Sequence, residues 1–158
     1  KAQEALEKAQ SMTREALLDV RQSVGSLRSS PMERQPLPEM IAKMVQGCET
    51  QDLHTSFRIT GVPRVISQQA HLTLFRSAQE GLNNACKYSR AACIDVEIDY
   101  RQQNRVQLTV RDDGVGAEKL EGGYGLPGLR ERVMILNGNI NITTAPGKGL
   151  TLEVSVPG

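Results

Sequence analysis

The chain has little of several things that particular functions require. Its 158 residues include no Trp, two Phe and three Tyr, so a stacking platform for single-stranded nucleic acid is not expected. The formal net charge of +1 gives no electrostatic footprint for nucleic acid or for a membrane surface. No apolar run approaches the ~18 residues that span a bilayer. Any anionic ligand must therefore be held by a local site.

Cysteine and histidine are also scarce. Cys48, Cys86 and Cys93 follow no zinc-binding spacing, and their odd number favours reduced thiols in a cytosolic protein. Cys86 falls on the apolar face of a predicted helix, which predicts a buried thiol. The sequence has two histidines, His54 and His71, and each is interpreted as an ordinary surface or packing residue.

The length of the chain and its pattern of apolar and polar residues fit one compact domain with an appended helix. Residues 1–30 carry apolar side chains at steps of three and four, which predicts a long amphipathic helix with an Ala-rich seam. Residues 31–37 lie in a stretch rich in Ser and Pro and are predicted to be a linker. The domain itself is predicted to span 38–158. Because the chain starts at Lys1 rather than Met, we expect it to be a piece of a longer protein.

Within 38–158 the periodicity changes between that of helices and that of strands. The predicted helices cover 38–47, ending at Gly47, then 67–88 and 127–137. The apolar face of the second helix is predicted to hold Leu72, Phe75, Ala78, Leu82 and Ala85. The predicted strands cover 56–60, a hairpin of 94–100 and 106–110, and a second hairpin over 139–156. This order predicts an α+β fold, a two-layer α/β sandwich whose mixed, mostly antiparallel sheet carries helices on one face.

The first motif lies in the predicted helix 67–88. Glu80 and Asn84 are four residues apart and therefore share one helix face, with Lys87 on the same stripe. A carboxylate and an amide oxygen suit Mg²⁺, which takes few protein ligands and keeps water or phosphate for the rest. The alternative is a solvated polar face.

The second motif, "RDDGVG", follows a predicted strand directly. Asp112 and Asp113 lead into Gly114 and Gly116, whose missing Cβ lets backbone approach a ligand. A carboxylate at a strand end can accept a hydrogen bond from an exocyclic amine such as that of adenine. The alternative is an ordinary Asp-Gly turn.

The third motif, "GGYGLPGLRER", places glycines before a helix N-terminus, where free N–H groups and the helix dipole favour an anion. No Gly-Lys-Ser/Thr follows, so it is not a Walker loop, and no parallel strand unit surrounds it, as a dinucleotide fingerprint requires. Taken alone, it could equally be a simple loop.

In this order the three motifs resemble the N, G1 and G2 boxes of the GHKL ATPase superfamily, which has the Bergerat-type ATP-binding fold. The stretches "QEGLNNACKYS", "DDGVG", "GYGLPGLRERV" and "LNGNINITTAPGKGLTLEVSVP" are similar to the catalytic domain of sensor histidine kinases. The likeness is to the subfamily paired with NarL-type response regulators, and it covers residues 38–158.

The resemblance implies ATP and Mg²⁺ as cofactors. Asn84 would coordinate Mg²⁺ between the ATP phosphates, Glu80 would polarise the attacking group or organise the metal's water, and Lys87 would contact phosphate. Asp112 would bind the adenine amino group. The remaining implied nucleotide-binding residues are Gly114, Gly116, Gly123, Gly125, Leu126, Gly149 and Thr151.

Three positions depart from the family pattern. Tyr88 stands where His is usual, and Leu150 stands where a phosphate-contacting Thr is usual. Thr151 is next to it, although alternation along a strand turns it to the opposite side. Gly81 replaces the usual Ala and is expected to loosen its helix by roughly 1 kcal/mol.

The family's phosphoacceptor histidine has no counterpart, since neither His54 nor His71 has the acidic neighbour that follows it. Residues 1–30 instead resemble the second helix of the dimerisation hairpin. The fragment is therefore expected to bind ATP in the cytoplasm without phosphorylating itself. The whole protein is expected to be a homodimer that phosphorylates its own histidine and then an Asp of a NarL-type response regulator. No nucleic-acid partner and no direct membrane contact by this fragment are expected.

Two alternatives remain. One is a regulatory nucleotide-sensing module, such as an anti-sigma-type switch kinase or a degenerate kinase. The other is a mechanical ATPase of the gyrase or MutL type. The helix predicted over 1–30 favours the sensor kinase over the first, and the short segment between Gly116 and Gly125 argues against the second.

Overall fold

A computed structural model describes residues 35–118 and 125–158. The predicted helix over 1–30, most of the linker and Gly123 lie outside these residues. Residues Pro36–Gly158 form one compact unit. None of the helices within the described ranges is long and apolar enough to cross a membrane.

The described residues of this unit form three α-helices, one π turn and five strands. The helices are α1 (Leu37–Cys48), α2 (Gln68–Asn84), which continues into the π turn Ala85–Ser89, and α3 (Gly125–Ile135). The strands are β1 (His54–Thr60), β2 (Cys93–Asp99), β3 (Arg105–Asp112), β4 (Asn139–Thr144) and β5 (Leu150–Pro157).

The strands form one sheet in the order β1-β2-β3-β5-β4. Both predicted hairpins are present, because β2 pairs antiparallel with β3 and β4 with β5. The pair β1–β2 is parallel, which makes the sheet mixed. Buried residues alternate along the central strands, as in Ile94, Val96 and Ile98 of β2, so one face is covered and the other is open. The predicted two-layer α+β sandwich is confirmed.

Helix α2 lies on the covered face and positions the first motif. Its N-cap Ser67 accepts a hydrogen bond from the Ala70 N–H at 3.2 Å, which satisfies one free donor of the first turn. At Gly81 an added Cβ would lie 3.0 Å from the Val110 side chain on β3. The helix therefore approaches the sheet more closely here than an alanine would allow without a shift. Gly81 has a packing role that the sequence did not indicate.

The buried face of α2 is rotated from the prediction. Leu74 is completely buried, whereas Leu72 and Phe75 are only half-buried. The reason is that α2 packs on the sheet with one stripe and on α1 and α3 with its flanks, so apolar residues are shared between three neighbours. The predicted burial of Cys86 is wrong, because the π turn exposes it.

Two helix ends also differ from the prediction. Helix α1 continues through Gly47 to Cys48, and Glu49 leaves it in an extended conformation. Helix α3 covers Gly125–Ile135 rather than 127–137, and Asn137 after it is left-handed, with φ 53°. The Gly138 N–H donates to the Val133 carbonyl at 2.9 Å, which closes the last turn.

Candidate functional site

The buried end of the site is the loop that leaves β3. Asp112 ends β3 on its covered face and is almost fully buried. One carboxylate oxygen accepts the Gly114 N–H at 2.8 Å. Burial raises the pKa of Asp112 above its usual value, although hydrogen bonds from the Gly114 and Leu150 main chain lower it. The loop therefore holds one carboxyl acceptor at a fixed, desolvated position.

Glycines in and around this loop allow backbone segments to meet. Gly149 has φ +68° and lies against the Asp112 carbonyl so closely that a Cβ would overlap it. Gly116, with φ +60°, lies in the same way against the Ala145 carbonyl, and Gly114 lies against Ser89. The room that these missing side chains leave is filled by neighbouring main chain. Their predicted role of making space for a base stays a prediction, and their role in building the loop is a finding.

The exposed end of the site is the last turn of α2. The Asn84 side-chain amide donates to a Glu80 carboxylate oxygen at 3.0 Å, so the two side chains meet as their spacing predicts. Because the amide nitrogen faces Glu80, the Asn84 oxygen remains available as an acceptor. Both side chains are half-buried.

This donor set fits Mg²⁺. No group of three or more His, Cys, Asp or Glu that could hold a metal occurs within the described residues, so a metal here would take other ligands as well. Mg²⁺ commonly binds one or two protein oxygens and fills its octahedral shell with water and phosphate. Glu80 and Asn84 are the residues that would hold it.

The π turn joins the two ends of the site. Ser89 closes it with a hydrogen bond from its hydroxyl to the Ala85 carbonyl at 2.6 Å, and Arg90 follows in the left-handed region with φ 51°. The Ser89 carbonyl then accepts the Val115 N–H at 2.7 Å. This bond places the Asp112 loop directly beside the helix that carries Asn84. Sequence reasoning missed both Ser89 and the π turn, a feature that is frequent at functional sites.

The wider turn changes which side chain follows Asn84 down the helix. In an α-helix the position one turn below Asn84 lies between Lys87 and Tyr88. A π turn contains one residue more than an α turn, so this position moves away from Lys87. Both side chains are exposed, Tyr88 with 70% of its surface. Lys87 forms no ion pair with another described residue.

The remaining candidates are divided between the two faces of the sheet. Gly125 starts α3, and Leu126 is half-buried in its first turn. Leu150 pairs in register with Asp112, whereas Thr151 pairs with Arg111 on the open face. Thr151 therefore lies on the opposite face of the sheet from Asp112, and its predicted nucleotide contact stays a prediction.

Proteins of known type are similar in sequence to most of this chain. The signal transduction histidine-protein kinase/phosphatase DegS of Brevibacillus brevis is 31% identical over 150 residues, which cover 92% of this chain and 39% of that protein. The kinase/phosphatase UhpB of Salmonella typhimurium is 32% identical over 144 residues, or 87% of this chain and 28% of UhpB. The chain spans about two fifths or less of these relatives' length.

Solved structures share the fold. The histidine kinase domain of a blue-light activated kinase from Erythrobacter litoralis matches with a TM-score of 0.66 at 19% identity, over 77% of this chain and 61% of that one. The mycobacterial sensor histidine kinase MprB matches with a TM-score of 0.58 at 19% identity, over 78% of this chain and 95% of that one.

The match to one protein family covers more than half of the chain. It includes both ends of the site, with the motifs that they carry. Residues 70–158 match the histidine kinase-, DNA gyrase B- and HSP90-like ATPases. The matched range contains Glu80, Asn84 and Asp112, and it ends with the hairpin that carries Gly149. The chain belongs to this family of ATPases.

Proposed function

We propose that this chain is the ATP-binding catalytic domain of a sensor histidine kinase. The observation that carries the proposal is the contact between the Ser89 carbonyl and the Val115 N–H. It joins a buried carboxyl acceptor, Asp112, to an oxygen pair, Glu80 and Asn84, within one site. ATP carries an amine on its base at one end and a triphosphate at the other, so its binding site needs both kinds of group.

In this proposal Asp112 accepts a hydrogen bond from the adenine amino group. Asn84 and Glu80 would hold Mg²⁺, which would supply neutralisation of phosphate charge when bound. Lys87 contacts phosphate from the exposed side of the π turn. Phosphoryl transfer needs little covalent chemistry from the protein, since positioning and electrostatic stabilisation lower its barrier. In this proposal Glu80 orients the attacking group.

The γ-phosphoryl group is proposed to pass to a histidine outside this chain and then to an Asp of a response regulator. The names of DegS and UhpB as kinase/phosphatases support a signalling role. The NarL type of the regulator, a homodimer formed through residues 1–30 and a cytoplasmic location rest on the motif resemblance. His54 and His71 are not proposed as acceptors, because neither is followed by the acidic residue that follows the family's acceptor.

Calorimetric titration with ATP and Mg²⁺ tests the nucleotide site. We expect saturable binding by the wild type and at least a tenfold loss in Asp112→Asn, because the amide presents donors where an acceptor is needed. Asn84→Asp should change the Mg²⁺ dependence. Asn83→Asp is the matched control, because Asn83 is the exposed neighbour of Asn84. No binding at millimolar ATP, or equal binding by Asp112→Asn, would refute the proposal.

A second experiment separates the kinase from a nucleotide-sensing module. The chain is mixed with a separately produced acceptor helix and with ATP labelled in the γ-phosphate. Label on the acceptor histidine supports phosphotransfer, whereas tight ATP binding without transfer identifies the sensing module. Tyr88 and Leu150, which replace the family's usual residues, are the positions to restore if transfer is absent.

A further inference from the structure

A single hydroxyl group links two loops at the Asp112 end of the site. Thr144 is the last residue of β4 and pairs with Leu150 of β5, which in turn pairs with Asp112. Its half-buried side chain is therefore on the covered face of the sheet. The Thr144 Oγ1 accepts the Ala117 N–H at 3.0 Å and donates to the Gly149 carbonyl at 2.8 Å. The hydroxyl thus joins main-chain groups of two separate segments.

Both segments lie beside Asp112. Gly149 packs so closely on the Asp112 carbonyl that a Cβ there would overlap it. Ala117 comes directly after Gly116, and a Cβ added to Gly116 would be 3.0 Å from the Gly149 oxygen. The Gly149 carbonyl, which Thr144 holds, therefore lies where the two loops meet.

Val115, in the same loop, is held by main-chain groups. Its N–H donates to the Ser89 carbonyl at 2.7 Å, and its carbonyl accepts the Gly147 N–H at 2.7 Å. Such bonds do not depend on which side chains the residues carry. The bond from Ala117 to Thr144 does depend on a side chain, so a substitution at Thr144 can remove it and leave the main-chain bonds of Val115 in place.

We propose that Thr144 is a positioning residue for the nucleotide, whose hydroxyl holds the main chain of Gly116 and Ala117 against Gly149, beside Asp112, before a base binds. This inference rests on the proposed function, in which Asp112 accepts the adenine amine. Without the hydroxyl, the loop must become ordered during binding, and the cost of ordering lowers the affinity. Because Thr144 acts at the Asp112 end, the loss should not depend on Mg²⁺ or on the number of phosphates.

Calorimetry with two nucleotides tests the positioning role. The probes are ATP with Mg²⁺ and ADP without Mg²⁺. Thr144→Val keeps the branched shape of the side chain and removes the hydroxyl, and it should weaken the binding of both probes about tenfold. Thr144→Ser retains a hydroxyl and should restore most of the affinity for both. Asn84→Ala, at the other end of the site, should weaken the binding of ATP with Mg²⁺ more than that of ADP without it.

Thr55→Val is the matched control. Thr55 is half-buried on the edge strand β1, which does not pair with β3, and its hydroxyl contacts the Val45 carbonyl at 3.1 Å and the Glu49 carboxylate at 2.7 Å. The variant should lower the unfolding midpoint and leave both affinities unchanged. Wild-type affinities in Thr144→Val, a loss confined to ATP with Mg²⁺, a loss that Thr144→Ser does not reverse, or an equal loss in Thr55→Val would each overturn the proposal.

Hydrogen exchange, measured by NMR on the nucleotide-free protein, separates this inference from the proposed function. The Ala117 N–H should exchange about tenfold faster in Thr144→Val than in the wild type, and Thr144→Ser should keep it slow. Unchanged exchange at Ala117 in Thr144→Val would show that the hydroxyl does not hold the loop, and would overturn the inference even where ATP binds. If the wild type binds neither nucleotide, the proposed function fails, and faster exchange at Ala117 still supports the hold of Thr144 on the loop.

Discussion

The two ends of the candidate nucleotide site are built in different ways. At the Asp112 end, main chain packs against main chain, and the one functional side chain is buried. At the Asn84 end, the functional side chains are half-buried or exposed, and one hydrogen bond joins two of them. The proposed adenine end is therefore formed by folding, whereas the proposed phosphate end is left for the ligand and metal to complete.

This difference fits the chemistry proposed for each end. The amine of a bound base loses its hydrogen bonds to water. The acceptor that replaces this water must therefore be in position before the base binds. Phosphates and Mg²⁺ arrive with charge and bound water and need mobile cations and open space. Substitutions at the Asp112 end should therefore alter folding together with binding, and substitutions at the Asn84 end should alter binding alone.

The largest effect is expected for Gly149→Ala. Gly149 has φ +68°, and a Cβ would overlap the Asp112 carbonyl. The left-handed conformation and the overlap together should cost about 3 kcal/mol of unfolding free energy, and displacement of Asp112 should remove ATP binding. Chemical denaturation and calorimetry measure the two effects.

Gly147→Ala is the matched control for that experiment. Gly147 has φ +70° in the same turn, but no atom lies within 4 Å of its added Cβ. It should cost only the conformational part, about 1 kcal/mol, and leave ATP binding in place. Equal destabilisation by the two alanines would show that the contact with Asp112 does not hold this end together.

The next largest effect is expected for Asn84→Ala. Removal of its amide takes a ligand from the proposed Mg²⁺ site and should weaken ATP binding about thirtyfold, or about 2 kcal/mol. The unfolding free energy should change by less than about 0.5 kcal/mol, since the site is open here. Asn83→Ala, at the neighbouring exposed position, should change neither quantity. A large loss of stability in Asn84→Ala would contradict the distinction between the two ends.

A smaller effect on the unfolding free energy should distinguish the neighbouring carboxylates Asp112 and Asp113. One oxygen of Asp113 accepts the N–H groups of Ala92 and Cys93, both at 2.9 Å, and so secures the start of β2. Asp113→Ala should lower the unfolding free energy by about 1 to 2 kcal/mol. Asp112→Asn should not lower it at neutral pH, because it removes a charge whose burial is unfavourable. Denaturation of both variants under identical conditions measures the contrast.

The pH dependence of the unfolding free energy tests independently whether burial of the Asp112 charge is unfavourable. Its pKa is raised in the folded protein above the ordinary 3.8, so the native state binds this proton more tightly than the unfolded chain does. The wild type should lose stability relative to Asp112→Asn as pH rises from below 3.8 through the raised folded pKa. A difference between the two proteins that is constant with pH would place Asp112 in water rather than in the core.

Much of the fold could be predicted because its strands alternate cleanly. Ile94, Val96 and Ile98 fall on one face of β2, and their partners on β3 do the same, so the period fixes which side is buried. Helix ends could not be predicted so well. Helix α1 passes Gly47 because Glu49, one residue beyond its end, is held by the main chain and hydroxyl of Thr55 on β1. That contact joins separate elements and leaves no local signal.

The candidate site shows the same limit. Spacing brought Glu80 and Asn84 together, because four residues make about one helical turn. The π turn that begins one residue later depends on Ser89, whose carbonyl is taken by Val115 of a different segment. Helical periodicity puts Lys87 and Tyr88 on either side of the position one turn below Asn84, and it cannot show that the wider π turn moves this position away from Lys87. Lys87, within the π turn, is therefore the residue whose predicted phosphate contact most needs an experiment.

The smallest expected effect concerns that position. Lys87 is exposed and has no ion-pair partner among the described residues, so Lys87→Gln should leave the unfolding midpoint unchanged. If it contacts phosphate through water, ATP affinity should fall about threefold at low salt, and the loss should shrink as salt screens the charge. Lys43→Gln, an exposed lysine on α1, is the matched control. A salt-independent loss larger than that of Asn84→Ala would mean that Lys87 is ordered in the bound state, and that the phosphate end is as firmly built as the adenine end once ATP is present.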